Sequence, residues 1–338
     1  MIPSASLLKS INLVLDENDI NDFHRRKLKK KLKSLHKKGL LHHFPMGLDM
    51  TWRICAAELM QSHYHWWGWE TRSKWAWELS NNKWFYPRWD GKPCKLLVIA
   101  EQGIGDEILF SSAFPDLLRQ NPDTTIECDD RLIDLFTRSF GDHFVTRWRQ
   151  SEGTIQERAY TLQDFRGEYD AFMMVGQVPK LYRRKKEDFK GQFLKAEKID
   201  LSEFGDPPYI GISWKGKNAC LDIEDLKEEG TLINLQYDAS HPDLVETGID
   251  LRDDFNGLAS LLMSLDHVNS TTTAIAHLSG ALGVKANVIK PPPVFGESNN
   301  RLKWYYGTKK KCDWYPSMTV YQNLIEWKNR KITLRGEK

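Results

Sequence analysis

The chain has 338 residues, 41% hydrophobic and 28% charged, with a net charge of +2. That is enough apolar side chain to build packed cores in roughly two domains of about 150 residues each, and it excludes a chain that stays disordered. With a mean hydropathy of −0.54 and no apolar run near the ~20 residues of a membrane helix, a membrane-spanning protein is excluded too.

The N-terminal stretch lacks the basic start and small-residue cleavage site of a secretory signal. The five cysteines, Cys55, Cys94, Cys128, Cys220 and Cys312, are scattered without Cys-x-x-Cys or Cys/His metal spacing. This argues against a disulfide framework and a structural zinc site, and it predicts a reducing, cytoplasmic setting.

In chain order, residues 1–92 are expected to be a helical, basic, Trp-rich region. The stretch from Phe23 to Lys38, FHRRKLKKKLKSLHKK, holds nine Lys and Arg and no acid, which leaves 39 bases against 46 acids elsewhere. Leu28, Leu32 and Leu35 form one apolar stripe on it. It reads as a solvated amphipathic helix, or as cations that track the phosphates of a nucleic-acid acceptor. A second helix is predicted from about Asp49, and six of the 13 tryptophans lie between Trp52 and Trp77. NNKWFYPRWDGKP reads as a linker.

From Lys95 the pattern changes. KLLVIA is a continuous apolar run, as in a buried parallel strand. The glycine turn QGIGDE follows, then helical spacing in ILFSSAFPDLLRQ. TTIECD reads as a strand, DRLIDLFTRSF as a helix and YDAFMMVG as a later strand. Residues 93–200 are therefore expected to form one Rossmann-like domain. Residues 185–208 read as a connection. Residues 205–338 restart the pattern: strands YIGISW and TLINLQY, helix DDFNGLASLLMSLD, strand HVNS, helix TTTAIAHLSGALG, strand KANVIK, and a last strand and helix in SMTVYQNLIEWKNRKI. The fold class is α/β.

Parallel sheets bind ligands beyond the carboxyl ends of their strands, so the candidates are the residues that follow each strand. Gln102, Gly103 and Gly105 allow close backbone approach at a helix start. Asp106, near the first turn, is either an N-cap or a carboxylate that deprotonates an acceptor hydroxyl. Thr271, Thr272 and Thr273 crowd hydroxyls at a second helix start, and His277 follows Thr273 on the same face. The set suits a pyrophosphate, or forms an ordinary capped helix with a satisfied histidine. Gly280 and Gly283 indicate close packing or the helix end. Lys215 and Lys217 are cations after the strand YIGISW. Gln236, after TLINL, is placed to read a base or ribose. Asp129-Asp130 and Asp253-Asp254 read as turn or helix-start residues. No Walker sequence, complete GxGxxG or GxSxG occurs, which argues against a P-loop ATPase, a dinucleotide enzyme or an α/β hydrolase.

Taken in order, LLVIAEQGIGDEILFSSAFPDL, WGWETRSKWAW, WDGKP, YIGISWKGK, INLQYD, STTTAIAHLSGALG and CDWYPSMTVYQ followed by Trp327 resemble one family over about residues 65–330. It is the glycosyltransferase-like domain at the C-terminus of bacterial tetratricopeptide-repeat proteins, related to the ADP-heptose heptosyltransferases. The resemblance implies a GT-B fold: two Rossmann-like domains facing a cleft, here with an N-terminal helical extension. It implies metal-independent, inverting transfer of a hexosyl or heptosyl group from a nucleotide-diphosphate sugar, with no cofactor. Asp106 falls at the family's base, Thr272, Thr273 and His277 in its donor-phosphate block, and Lys215 and Lys217 in the facing loop. The family has Val-Asp-Thr where this chain has Thr271-Thr272-Thr273, and its Arg-Ser block after the second half's first strand is missing. The expected acceptor is a glycan or lipid-linked glycan, or a nucleic-acid base. The alternative function is a binding or scaffold protein on a catalytically degenerate form of the fold.

Overall fold

The computed structural model describes residues 89–100, 103–146, 168–183, 186–216, 219–291, 306, 310–312 and 314–335. The basic run from Phe23 to Lys38 and the tryptophan-rich segment lie outside the described residues.

The first sheet holds four parallel strands: β1 (Leu96–Ile99), β2 (Thr124–Cys128), β3 (Phe144–Thr146) and β4 (Ala171–Met174). Their order is β3-β2-β1-β4, with Leu96 opposite both Thr124 and Ala171. β1 and β4 are buried throughout, as continuous apolar runs require between two covered faces. After β1 come α1 (Ile104–Phe110), a single 3-10 turn and α2 (Phe114–Gln120), with Pro115 in the first turn of α2. The expected single helix is therefore broken. Proline fits a first turn, where its missing N–H costs nothing. α3 (Ile133–Phe140) follows β2, and α4 (Val178–Tyr182) follows β4.

The second sheet holds β5 (Tyr209–Ser213), β8 (Thr231–Asn234), β9 (His267–Ser270), β10 (Ala286–Ile289) and β11 (Met318–Tyr321). It too is parallel, in the order β11-β10-β9-β5-β8. A short hairpin, β6 (Lys215–Gly216) with β7 (Ala219–Cys220), and α5 (Ile223–Leu226) lie between β5 and β8. α6 (Phe255–Ser264), α7 (Ala274–Leu282) and α8 (Leu324–Arg335) follow β8, β9 and β11. Asp254 caps α6 by accepting from Gly257 N at 2.7 Å, the helix-start role expected of it.

One apolar cluster runs through both units. It joins Leu96, Phe114 and Phe136 to Leu258, Leu278 and Val288. Ile210, Ile212, Leu226, Ile289 and Trp327 form a second cluster on the other face of the second sheet. The segment read as a connection is a packed strap. Phe193 N and Leu194 N both donate to Ala281 O, at 2.9 and 3.0 Å. Lys195 N bonds Ser139 Oγ at 3.0 Å and Ile199 N bonds Ser264 Oγ at 2.7 Å. Its own Leu194 and Leu201 are buried. The apolar packing is thus unbroken between the two sheets.

Candidate functional site

Each sheet has a point where neighbouring strands are entered from opposite directions. These are β1/β4 in the first sheet and β5/β9 in the second, and ligands favour the crevice beyond the carboxyl ends of such strands. α1 leaves the first of these edges and α7 the second. The structure packs the two helices on each other. A Cβ added at Gly105 would stand 3.3 Å from His277 Cδ2 and 3.7 Å from Ala274 Cα, so only a residue without a side chain lets the first turns come this close. Gly105 and His277, chosen from loops about 170 residues apart, therefore meet.

Asp106 is buried in the first turn of α1. Gly103 holds the N-cap position, so Asp106 is not the N-cap that helix-start statistics favour. Its carboxylate turns back over the turn, with Oδ2 3.8 Å from the position of a Cβ on Gly103. Three further acids are buried at this edge: Glu107, Glu127 and Asp129. Glu107 Oε2 accepts from Asp129 N at 2.7 Å, and Glu127 Oε2 accepts from Ala100 N at 3.2 Å. The Glu107 and Glu127 carboxylates tie the end of β2 to α1 and to the end of β1. Single-residue reasoning passed over Glu107 and Glu127, and the acid inside the strand TTIECD was the available signal; Asp129 has the helix-start role expected of it, accepting from Arg131 N at 3.2 Å.

At the second edge the three threonines have different roles. Thr271 is fully buried, receives a place in the sheet through Thr271 N to Ser213 O at 2.9 Å, and donates its hydroxyl to Ile289 O at 3.3 Å. It braces the strand ends. Thr272 is partly exposed. Thr273 is the N-cap residue of α7, yet its Oγ1 lies 3.2 Å from Ser270 Oγ and 3.5 Å from Ser213 Oγ. Neither α7 nor α1 receives a side-chain cap among the described residues. The backbone N–H groups of a helix start and its positive end attract an anion.

His277 is buried between two tyrosines. Nδ1 lies 3.1 Å from Tyr315 Oη and Nε2 3.2 Å from Tyr306 Oη. A neutral imidazole meets both by donating to one hydroxyl and accepting from the other. The ring stacks on Tyr306 at 5.3 Å between centroids and stands edge-on to Tyr315 at 5.9 Å. Sequence reasoning missed both tyrosines. Gly280 admits the Tyr315 ring to α7, and Gly283 ends α7 in the left-handed conformation at φ 76°, so the pair divides the two expected roles.

Lys215 extends from β6 to Asp238, with Nζ 2.8 Å from Oδ2. The bond raises the Lys215 pKa and lowers that of Asp238. Gln236 is buried and both ends of its amide are engaged: Oε1 accepts from Lys215 N at 3.1 Å and Nε2 donates to Asp238 Oδ1 at 2.7 Å. Gln102 and Lys217 lie outside the described residues. Beside this edge, Lys290 closes β10, buried, with Nζ 2.9 Å from Gln322 Oε1; the apolar run KANVIK concealed it as a candidate.

The fold defines the class: an α/β protein of two tandem parallel sheets, with the helices that leave their switch-point strands, α1 and α7, packed on each other. No protein-family model matches the chain. It is 25% identical over 277 residues to Protein FlbA of Caulobacter vibrioides. That match covers 69% of this chain and 44% of FlbA, so the chain spans less than half the length of that relative. A solved structure, the glycosyl transferase family 9 from Veillonella parvula, aligns with a TM-score of 0.45 at 12% identity, over 75% of this chain and 93% of that one. No helix among the described residues is long and apolar enough to cross a membrane.

Proposed function

We propose that this chain is a glycosyltransferase that moves a sugar from a nucleoside-diphosphate donor to a hydroxyl acceptor, with inversion at the sugar carbon and no metal. The contact between Gly105 and His277 carries the reading. It joins the first turn of α1, which carries the buried Asp106, to the first turn of α7, and these supply the two parts that transfer from a charged leaving group needs.

In this reading the donor diphosphate lies at the first turn of α7. The backbone N–H groups there and the positive helix end meet its charge, with Thr272 and Thr273 flanking. Lys215 and Lys217, which follow β5 in the sequence, neutralise the diphosphate in this reading. Asp106 takes the proton of the acceptor hydroxyl. The acceptor oxygen then bonds the anomeric carbon on the face opposite the diphosphate, the bond from that carbon to the phosphate oxygen breaks, and the diphosphate leaves with the electron pair. Donors aimed at a developing charge are worth about 3–4 kcal/mol each in a water-poor site. His277, held by Tyr306 and Tyr315, positions the start of α7 against α1. The acceptor is a glycan or a lipid-linked glycan.

The test has two arms. A thermal-shift screen with UDP-, GDP-, ADP-, CMP- and dTDP-sugars identifies the donor, since a ligand at 100 times its Kd stabilises by about 2.7 kcal/mol. With that donor, Asp106→Asn is expected to abolish transfer while the melting temperature and donor affinity stay near those of the parent. Transfer at the parent rate removes Asp106 as the base. No response to any donor leaves a binding protein on this fold.

A further inference from the structure

Beyond the carboxyl end of β8 the chain presents a large aromatic side chain to solvent. Tyr237 is 60% exposed, while the residues around it are tied down. Asn234 closes the turn from inside: its Oδ1 accepts from Gln236 N at 2.7 Å, and its Nδ2 donates to Ala239 O at 3.0 Å and to Glu246 Oε1 at 2.7 Å. Leu235 N continues the sheet by donating to Ile212 O at 3.0 Å. Gln236 and Asp238, on either side of Tyr237, are both bound to Lys215, the first through its backbone N–H and the second through its ammonium. Gln236 is thus fixed inward, Asp238 is held at the surface by Lys215, and the phenol ring between them is left facing solvent. Burying its ring would remove apolar surface from water, and the ordering cost is already met by the turn.

The position supplies the ligand. β8 is the edge strand beside β5, and β9, which leads into α7, lies on the other side of β5. Strands are about 4.8 Å apart, so the ends of β8 and β9 are separated by about 10 Å. That is the order of length that a nucleoside diphosphate spans from its phosphates to its base.

We infer that Tyr237 is the platform on which the nucleobase of the donor stacks, with Gln236, Asp238 and Lys215 as the bracket that holds it. The inference rests on the donor-phosphate reading of α7 above. Gln236, whose amide is spent within the bracket, acts as a positioning residue, and the base is recognised by its π-face. Stacking of this kind tolerates any base, so donor choice falls to groups that meet the base edge.

Binding of UDP, ADP, GDP and CDP is measured by titration calorimetry on the full chain and on Tyr237→Ala, Tyr237→Phe and Tyr237→Trp. The alanine variant is expected to lose about tenfold to a hundredfold in affinity for the nucleotide that the parent binds. The phenylalanine and tryptophan variants are expected to stay within about threefold, because the aromatic face is retained. Alanine at parental affinity overturns the platform and leaves the donor reading standing. Equal loss in all three variants overturns stacking in favour of a role for the hydroxyl. A folded parent that binds none of the four overturns the donor reading and this inference together.

Discussion

A methyl group added at Gly280 would fall 2.3 Å from Cγ of Tyr315 and 2.7 Å from both its Cδ atoms. The clash is with a buried ring that lies on α7, so the helix or the tyrosine must move. Gly280→Ala is expected to cost about 1–3 kcal/mol, read as a shift of the urea midpoint at constant slope. Because Tyr315 holds Nδ1 of His277, the same variant is expected to lower the transfer activity proposed above. Gly105→Ala is the gentler probe. Its Cβ would meet His277 Cδ2 at 3.3 Å, a displacement of a few tenths of an ångström, so the chain stays folded while α1 and α7 part slightly. A fall in kcat without a large fall in melting temperature is the expected result. At this scale the sequence disclosed residue types more readily than their duties. Three consecutive threonines read as equivalent donors, yet Thr271 is buried and braces a strand, while Thr272 and Thr273 are partly exposed and Thr273 turns to two serines.

The element scale shows why some segments were legible. β1 and β4 are buried on both faces, and their unbroken apolar runs announce it. β3 was missed because it has three residues and two of them are exposed. Its anchor is Phe144, whose ring lies 5.3 Å from Phe136 and 6.0 Å from Phe114 and Phe140. No local alternation encodes such a cluster. α8 is held by ionic contacts at the opposite end of the second sheet. Glu228 bonds His267 at 2.8 Å and also bonds Arg330, whose guanidinium lies over the Trp327 ring. Burial pushes the Glu228 carboxyl up, but His267 and Arg330 outweigh it and hold the pKa at about 2, below its ordinary value of 4.5. A carboxylate with a depressed folded-state pKa stabilises above its unfolded value and loses that contribution as pH falls through the interval. Stability is therefore expected to decline between pH 4.5 and about 2. Glu228→Gln should flatten that limb in urea titrations, and an unchanged acid limb would remove Glu228 from the account.

For the whole molecule, the junction of the two units is apolar at its centre and ionic at one side. Arg131 grips the fully buried Asp129 with Nε at 2.9 Å and Nη2 at 3.1 Å. Its Nη1 reaches across to Arg252 O at 3.0 Å and stands 3.7 Å from Asp253. The two acids differ in burial, and burial decides their worth. Arg131→Ala strips a buried carboxylate of its bidentate partner and is expected to cost on the order of 3 kcal/mol. Asp253→Ala removes an exposed contact and should stay within about 0.5 kcal/mol. Comparable losses in the two variants by chemical denaturation would show that the junction does not depend on the buried pair. Hydrogen exchange at Phe193 and Leu194, whose amides bond Ala281 O, reports whether the strap loosens with it.

Hydrophobic periodicity by itself determined the order of the long buried strands and of the helices that follow them, though not β3 or the break between α1 and α2, and it determined the restart of the α/β pattern after residue 200 and the loops where polar groups gather. These are local properties, carried by side-chain alternation over a few residues. Tertiary structure alone decided which strands are neighbours, and thereby where each sheet's switch point lies. It also brought Gly105 to His277, and closed His277 between tyrosines 29 and 38 residues further along the chain. Such partners are selected by packing among distant segments, where shape and hydrogen-bond satisfaction choose among many residues of the right type.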